Sequence, residues 1–217
     1  MGAVTPRERV TNARLYFVCE ARPAAFLRAV CAAGVDVVQL RDRALDDGGV
    51  LAAAREFRSA ADATGALFVL NDRPDLAVRC GADGVHVGQD DATPAAARAA
   101  VGFERIVGIS THAAPQLAAA AADPDVDYAS VGPVWETPTK EGRPAAGIEY
   151  VRHAASMAGS HPWFAIGGID LDNVREVIEA GASRVVVVRA IRDADDPRAA
   201  ASALRAALEE ASVGAES

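Results

Sequence analysis

Two acidic residues, Asp72 and Asp91, follow neighbouring apolar runs of the sequence, at the point where each run ends. If these runs are parallel strands, their carboxyl ends meet and both carboxylates face one mouth. Like charges about 4 Å apart repel by about 4 kcal/mol at an effective dielectric near 20, and a divalent cation removes that cost. Mg²⁺ prefers one or two carboxylates with water and phosphate oxygens. The pair predicts a magnesium site; a solvated pair or two helix N-caps are the alternatives, and Asp90 could replace Asp91.

Three cations belong to the same predicted face, although the chain carries a net charge of -8. Arg41 directly ends an apolar run, where solvation is poor and an anionic partner is favoured. Arg43 lies two residues further on, and Lys140 lies in a loop after a later run. We expect these side chains to bind a phosphorylated ligand.

A second phosphate site is predicted at Gly167 and Gly168, which follow another apolar run and precede a helical segment. Glycines there let backbone N–H groups approach a phosphate, together with the loop after the last strand. A tight turn without a ligand is the alternative. Thr137 and Thr139 lie in the longest loop of this face, 136–147, which predicts a lid. An ordinary solvent loop is the competing interpretation.

Common nucleophile and nucleotide motifs are absent from the sequence. The stretch Gly108-Ile109-Ser110-Thr111-His112 lacks the second glycine of the G-x-S-x-G elbow, and the sequence has no Walker A, H-E-x-x-H or G-x-G-x-x-G pattern. The predicted mouth therefore suits two phosphorylated groups, one of them a diphosphate. Electrostatic stabilisation of a departing pyrophosphate favours group transfer over hydrolysis.

Short apolar runs that alternate with Ala-rich amphipathic segments must position these residues. The predicted strands are Leu15–Cys19, Val35–Leu40, Ala66–Leu70, Gly84–Val87, Arg105–Ile109, Tyr128–Val131, Trp163–Ile166 and Val185–Val188. The predicted helices are Ala24–Ala33, Val50–Ala63, Ala95–Ala100, Gln116–Ala122, Ile148–Ala158, Asn173–Ala180 and Arg198–Glu210.

The helix-to-strand joint recurs in near-copies that begin at Ala33-Gly34, Cys80-Gly81 and Ala180-Gly181, which indicates one repeated unit. Alternating strands and helices pair in parallel. We therefore predict a single (β/α)8 barrel over residues 1–217, with loose termini at 1–13 and 212–217; an open doubly wound sheet is the alternative.

Composition narrows the class of partner. Lys and Arg number 22 against 30 Asp and Glu in 217 residues, so an acidic chain without a basic face is not expected to bind nucleic acid. Three cysteines without C-x-x-C spacing predict reduced, packed thiols. Without a signal-like or membrane-spanning run, we expect a cytoplasmic protein with small-molecule substrates. The oligomeric state stays open.

Taken together in chain order, the polar motifs resemble those of the thiamine-phosphate synthase family. The resemblance covers about Leu15 to Leu208 and is carried by Gln39-Leu40-Arg41-Asp42-Arg43, Asn71-Asp72-Arg73, Gly84-Val85-His86-Val87-Gly88-Gln89-Asp90-Asp91, Gly132-Pro133, Thr137-Pro138-Thr139-Lys140 and Ala165-Ile166-Gly167-Gly168-Ile169. It implies a (β/α)8 transferase that joins 4-amino-2-methyl-5-hydroxymethylpyrimidine diphosphate to 4-methyl-5-(2-hydroxyethyl)thiazole phosphate, or its carboxylated form. The implied products are thiamine phosphate and pyrophosphate, and the implied cofactor is Mg²⁺.

The resemblance also implies roles for individual residues. Asp72 and Asp91 would hold Mg²⁺. The pyrimidine diphosphate would be bound by Gln39, Arg41, Asp42, Arg43, Asn71, Ser110 and Lys140. The thiazole phosphate would be bound by Thr137, Thr139, Gly168, Val188 and Arg189. Of all these residues, the predicted catalytic ones are Arg41, Ser110 and Lys140.

Two positions depart from the family pattern: position 43 is commonly Lys and is Arg here, and position 189 is commonly Ser and is Arg here. Arg189 would either add a cation to the thiazole phosphate or turn away and leave only backbone N–H contacts. Two other functions compete with the synthase. A thiazole tautomerase would share the fold without binding a pyrimidine diphosphate, and a non-catalytic barrel would only bind a phosphorylated ligand.

Overall fold

A closed eight-stranded parallel barrel forms the centre of the molecule, in a computed structural model that describes residues 4–136, 145–157, 159 and 161–214. The strands are β1 (Leu15–Cys19), β2 (Val37–Leu40), β3 (Leu67–Asn71), β4 (Gly84–Val87), β5 (Ile106–Thr111), β6 (Tyr128–Val131), β7 (Trp163–Ile166) and β8 (Val185–Val187). They follow one another around the barrel in chain order, and β1 pairs with β8 to close it. The predicted barrel is confirmed, with strand ends shifted by one or two residues.

Helices surround the barrel and connect its strands. They are α1 (Pro6–Val10), α2 (Ala24–Cys31), α3 (Asp47–Thr64), α4 (Pro74–Ala77), α5 (Pro94–Val101), α6 (Ala114–Ala122), α7 (Ile148–Ser156), α8 (Val174–Glu179), α9 (Arg189–Arg192) and α10 (Pro197–Gly214). Local chemistry defines several starts: Asp46 caps α3 through the Gly49 N–H, and Thr93 caps α5 through the Ala96 N–H. Because β1 pairs with β8 and closes the barrel, the alternative of an open doubly wound sheet is excluded.

The described residues of the amino-terminal segment, 4–13, include a capped helix, although the sequence predicted a loose end at 1–13. Thr5 and Glu8 form a capping box at the start of α1. Val10, at the end of this helix, is fully buried among the residues that fill the barrel. The physical reason is that the amino ends of the strands need a cover, and α1 provides it. At the other end of the chain, α10 continues to Gly214, and residues 215–217 lie outside the described part.

Two apolar clusters divide the core. The larger one lies between the sheet and the helices. The smaller one fills the barrel and contains the aromatic rings of Tyr16, Tyr128 and Phe164, with edge-on packing of both tyrosines against Phe164 at centroid distances of 5.5 and 5.3 Å. Gly108 pairs with Tyr128 in the β5–β6 register, and a Cβ at this glycine would come within 2.1 Å of the Tyr128 ring. Glycine at this position makes room for the ring.

None of the described helices is both long and apolar enough to cross a membrane.

Candidate active site

A cavity of about 890 Å³ opens at the carboxyl ends of the strands, and its wall comes from the loops after most of them. It brings together residues that are far apart in the sequence. The predicted site residues that line it are Gln39, Arg41, Arg43, Asn71, Asp72, Asp91, Ser110, Gly168, Val188 and Arg189. The rim of strand ends therefore gathers the described part of the predicted set apart from Asp42, as expected for a parallel barrel.

Asp72 and Asp91 share one corner of this cavity. Asp72 adopts a left-handed backbone conformation with φ 58°, and its N–H donates to the His86 carbonyl at 2.8 Å. Asp91 accepts a hydrogen bond from the Gly88 N–H at 2.8 Å. Burial raises the pKa of Asp72, and the carboxyl of Asp91 within hydrogen-bonding reach raises it further. The two carboxyl groups therefore face each other.

The helix-cap alternative for this pair is excluded. The residue at the N-cap of α4 is Arg73, and that of α5 is Thr93, so neither aspartate caps the helix that follows it. Asp90 lines the same cavity.

Arg41 and Arg43 bring positive charge to the carboxylates. Arg41 is about half buried; burial lowers the pKa of its guanidinium, the neighbouring charge of Arg43 lowers it further, and Asp72 opposes both effects. Arg43 is largely exposed, with its guanidinium 3.8 Å from a carboxylate oxygen of Asp72. A desolvated cation next to a second cation favours an anionic ligand, because the ligand neutralises both.

The donor set of the corner fits Mg²⁺ in part. Among the described residues, no group of three or more His, Cys, Asp or Glu side chains could hold a metal ion. Two facing carboxylates in the cavity supply the one or two protein ligands that Mg²⁺ commonly takes, and water and phosphate oxygens usually complete its shell. The pair fits a magnesium ion that arrives with a phosphorylated substrate.

Gly167 and Gly168 form the cavity wall on the β7 side. Both have positive φ, 106° and 70°. A Cβ at Gly167 would lie 2.5 Å from the Cα of Pro133, and one at Gly168 would lie 2.9 Å from the Cβ of Trp135. Glycine is therefore needed here for packing against the loop after β6. The same backbone borders the cavity beside Val188, so the two glycines form a tight turn at the cavity wall. A phosphate site at this turn stays a prediction.

Three predicted residues, Thr137, Thr139 and Lys140, lie outside the described residues, as does most of the loop 136–147. Their roles and the lid stay predictions.

Asp42 is the exception among the described candidates, because it does not border the cavity. Its carboxylate instead accepts hydrogen bonds from the backbone N–H groups of Ala21, at 3.3 Å, and Ala44, at 3.1 Å. Asp42 lies between Arg41 and Arg43, which line the cavity, but its carboxylate contacts the neighbouring loops. A role of Asp42 in substrate binding stays a prediction.

Sequence analysis missed a buried polar cluster beneath the cavity. The ring of His86 contacts both Tyr128 and Ser110 at 2.9 Å. Tyr16 joins the cluster through Gln39 and Tyr128. The sequence contains a signal for this cluster. Val85 and Val87 point to the helices, so His86 between them in β4 must point to the barrel interior.

Comparisons with known proteins agree with this geometry. A family model described as thiamine monophosphate synthase matches residues 10–191. The chain is similar to the thiamine-phosphate synthase of Acidothermus cellulolyticus, with 52% identity over 204 residues that cover 92% of this chain and 96% of the relative. It is 54% identical to a thiamine-phosphate synthase of Thermus thermophilus over 202 residues, which cover 90% and 97% of the two chains.

Solved structures show the same architecture. Thiamine phosphate pyrophosphorylase from Pyrococcus furiosus matches with a TM-score of 0.83 and 27% identity, over 93% of this chain and 98% of that one. A 3-hexulose-6-phosphate synthase matches with a TM-score of 0.63 and 21% identity, over 89% and 99%. At that identity the second likeness shows the fold alone.

Proposed function

Because this chain belongs to the thiamine monophosphate synthase family, we propose that it joins 4-amino-2-methyl-5-hydroxymethylpyrimidine diphosphate to 4-methyl-5-(2-hydroxyethyl)thiazole phosphate, or its carboxylated form. The products are thiamine phosphate and pyrophosphate. The observation that carries the proposal is the cavity corner in which Asp72, Asp91, Arg41 and Arg43 meet. A diphosphate with a bound cation matches that arrangement of charge.

The two substrates occupy different sides of the cavity in this proposal. The diphosphate of the pyrimidine substrate lies against Arg41 and Arg43, on the β2 side. The phosphate of the thiazole substrate lies on the β7–β8 side, against the backbone at Gly168 and Val188 and beside Arg189, which adds a cation where the family commonly has Ser. The remaining assignments are Gln39, Asn71, Ser110 and Lys140 for the pyrimidine substrate, and Thr137 and Thr139 for the thiazole phosphate.

The reaction needs charge stabilisation rather than a nucleophile from the protein. The C–O bond between the pyrimidine methylene and the diphosphate breaks, and both bonding electrons leave with pyrophosphate. The lone pair of the thiazole nitrogen then forms the new C–N bond to the methylene cation. Arg41 and Arg43 stabilise the negative charge that builds up on the leaving group, and Lys140 would add to them.

Asp72 and Asp91 would hold the magnesium ion. When bound, Mg²⁺ would act as a Lewis acid on the leaving oxygens of the diphosphate. Arg41 offsets the charge of the two carboxylates at the same corner. A cytoplasmic location stays a prediction of the sequence.

A pyrophosphate-release assay tests the proposal. With both substrates and Mg²⁺, we expect pyrophosphate and thiamine phosphate in equal amounts, and loss of both on chelation. Pyrophosphate release that does not depend on the thiazole substrate would indicate a hydrolase. No release would favour a tautomerase or a non-catalytic binding protein, and conversion of the thiazole tautomer alone would separate these two.

A matched pair of variants locates the reaction in this cavity. Arg41→Gln should lower kcat/KM by about 100-fold, since it removes a charged contact to the leaving group. Arg55→Gln, on the exposed face of α3, is the control and should leave kcat/KM within about twofold. Equal activity of both variants would contradict the assignment of Arg41.

A further inference from the structure

A chain of hydrogen bonds crosses the interior of the barrel and connects two side chains that line the cavity. It runs from Gln39 through Tyr16, Tyr128 and His86 to Ser110. The Gln39 Nε2 lies 2.6 Å from Tyr16 Oη, and Tyr16 Oη lies 2.9 Å from Tyr128 Oη. Tyr128 Oη lies 2.9 Å from His86 Nδ1, and His86 Nε2 lies 2.9 Å from Ser110 Oγ.

The amide at the start of the chain determines the direction of every bond in it. Gln39 Nε2 can only donate, so the Tyr16 oxygen accepts from it and the Tyr16 hydrogen goes to Tyr128. Tyr128 therefore accepts from Tyr16 and donates to His86 Nδ1. A neutral imidazole that accepts at Nδ1 carries its proton on Nε2, where Ser110 Oγ accepts it.

Burial keeps the middle of the chain in its neutral form. Tyr16 and Tyr128 are 1% and 0% exposed, and burial raises the pKa of both phenols well above the ordinary value. Each neutral phenol therefore accepts one hydrogen bond and donates one. It relays the direction of the hydrogen bonds without carrying a charge itself. Gln39, His86 and Ser110 are also buried, at 4%, 8% and 4% exposed, so reversing one bond would leave a buried phenol hydrogen without an acceptor in the chain, at high cost.

We propose that Gln39 sets the direction of this chain of hydrogen bonds. Tyr16 and Tyr128 are positioning residues, which hold His86 with its ring proton on Nε2. The Ser110 Oγ then accepts a hydrogen bond from that N–H group. The Ser110 hydroxyl then meets an N–H group and not a base. A serine hydroxyl becomes a nucleophile when a histidine nitrogen accepts its proton, which this direction prevents. The Ser–His pair in the cavity therefore cannot act as a nucleophile that hydrolyses the diphosphate. This consequence for the reaction rests on the proposed function, whereas the tautomer of His86 does not.

Histidine ¹⁵N NMR of the intact protein without substrate tests the tautomer. The chain has four histidines, so His86→Gln assigns the His86 signals. We expect a protonated Nε2 and an unprotonated Nδ1 that accepts a hydrogen bond. A proton on Nδ1 in the wild-type protein would overturn the proposal.

Gln39→Glu tests the control of direction, because a carboxylate can only accept. We expect Tyr16 to donate to the new carboxylate, Tyr128 to donate to Tyr16, and a proton to appear on His86 Nδ1. In Gln39→Glu combined with Tyr128→Phe the link is cut, and Nδ1 should lose that proton again. An unchanged tautomer in Gln39→Glu, or the same spectrum for the single and the double variant, would overturn the proposal.

Tyr128→Phe alone covers the case in which a buried carboxylate prevents folding. The Nδ1 signal should move towards that of a nitrogen without a hydrogen bond, and kcat should fall by about tenfold with KM little changed. Tyr150→Phe is the matched control: Tyr150 is also buried, but its hydroxyl donates to Thr111 Oγ1 at 2.8 Å, outside the chain. An Nδ1 signal that stays the same in Tyr128→Phe would count against the assigned direction.

The reactivity of Ser110 gives an independent readout. A fluorophosphonate probe labels serines that a histidine activates. We expect no labelling of Ser110 in the wild-type protein, and labelling there would contradict the proposal. Because neither this measurement nor the NMR spectrum needs a substrate, failure of the proposed synthase activity would not be confused with failure of the chain.

Discussion

The two ends of the barrel use the same residue type for opposite purposes. At the amino-end rim, defined by Asp36, Asp83 and Asp127, each aspartate lies just before or at the start of a strand and is paired with arginine. At the carboxyl-end rim, Asp72 and Asp91 face each other across one corner of the cavity. Carboxylates at the first rim form close arginine pairs, at 2.7 to 3.0 Å, whereas Asp72 at the second rim pairs with the more distant Arg43, at 3.8 Å.

Contacts at the amino-end rim are dense. Asp127 accepts from the Val107 N–H at 2.7 Å, from Arg98 at 2.7 Å and from Arg7 at 2.6 Å. Asp83 accepts from the Phe68 N–H at 2.8 Å and from Arg58 at 3.0 Å. Each aspartate thus ties the start of the preceding strand to its own.

The near-copies at Gly34 and Gly81 in the sequence contain Asp36 and Asp83, so the repeated joint has a mechanical role. Asp36 accepts from the Leu15 N–H at 3.0 Å and from Arg205 at 2.7 Å. Structural carboxylates therefore differ from those available to a ligand in the side chains that they pair with. Their position at a strand end does not separate the two kinds.

The largest effect is expected from Asp127→Ala. The Asp127 and Arg98 side chains are 7% and 6% exposed, and removing one member of a buried pair costs about 3–5 kcal/mol of unfolding free energy. Denaturant unfolding measures this loss, while pyrophosphate release per folded molecule should stay within about twofold. The control is Glu210→Ala, whose exposed pair with Arg175 should contribute less than about 1 kcal/mol. Equal destabilisation by both variants would refute the distinction.

Asp91→Ala should show the reverse pattern. We expect pyrophosphate release to fall by at least about 100-fold, or roughly 2.7 kcal/mol, because a magnesium ligand is lost. The free energy of unfolding should change by no more than about 1 kcal/mol, the value of its hydrogen bond from the Gly88 N–H. Asp83→Ala is the matched control and should lower stability without lowering activity per folded molecule. An unchanged rate at saturating Mg²⁺ would remove Asp91 from the site.

The smallest expected effect is a change in the free energy of unfolding when Asp72 is replaced. Without metal at pH 7, Asp72→Asn should raise the free energy of unfolding by about 0.5–1 kcal/mol after allowance for solvent screening, since it removes one of two facing charges. The folded state raises the pKa of Asp72, so wild-type stability falls as pH rises from the ordinary value of 3.8 through the raised pKa.

The difference between Asp72→Asn and the wild type should therefore vanish below that ordinary value and be largest at neutral pH. Unfolding curves at several pH values measure it. A variant that is less stable than the wild type at pH 7 would show that Arg41 and Arg43 outweigh the repulsion from Asp91.

The sequence predicted the frame of the site because strand ends and barrel rims coincide. Eight apolar runs, the helices between them and the glycine joints follow from local periodicity. Helix α1 was not predicted, because its five residues are too few to show a helical periodicity. Its Thr5–Glu8 capping box is nevertheless visible in the sequence. Asp42 was assigned to the substrate by resemblance, and its contacts with the Ala21 and Ala44 N–H groups are seen only in the tertiary structure.

By itself, then, the sequence determined the barrel, the rim on which the polar residues gather and the family to which they belong, because these depend on pattern and order. Tertiary structure alone decided which carboxylates meet arginines and which meet each other. It also brought Gln39, Tyr16, Tyr128, His86 and Ser110 into one hydrogen-bonded chain from five strands. Closure of the barrel creates these contacts, and no local property of the chain encodes a distance between side chains on different strands.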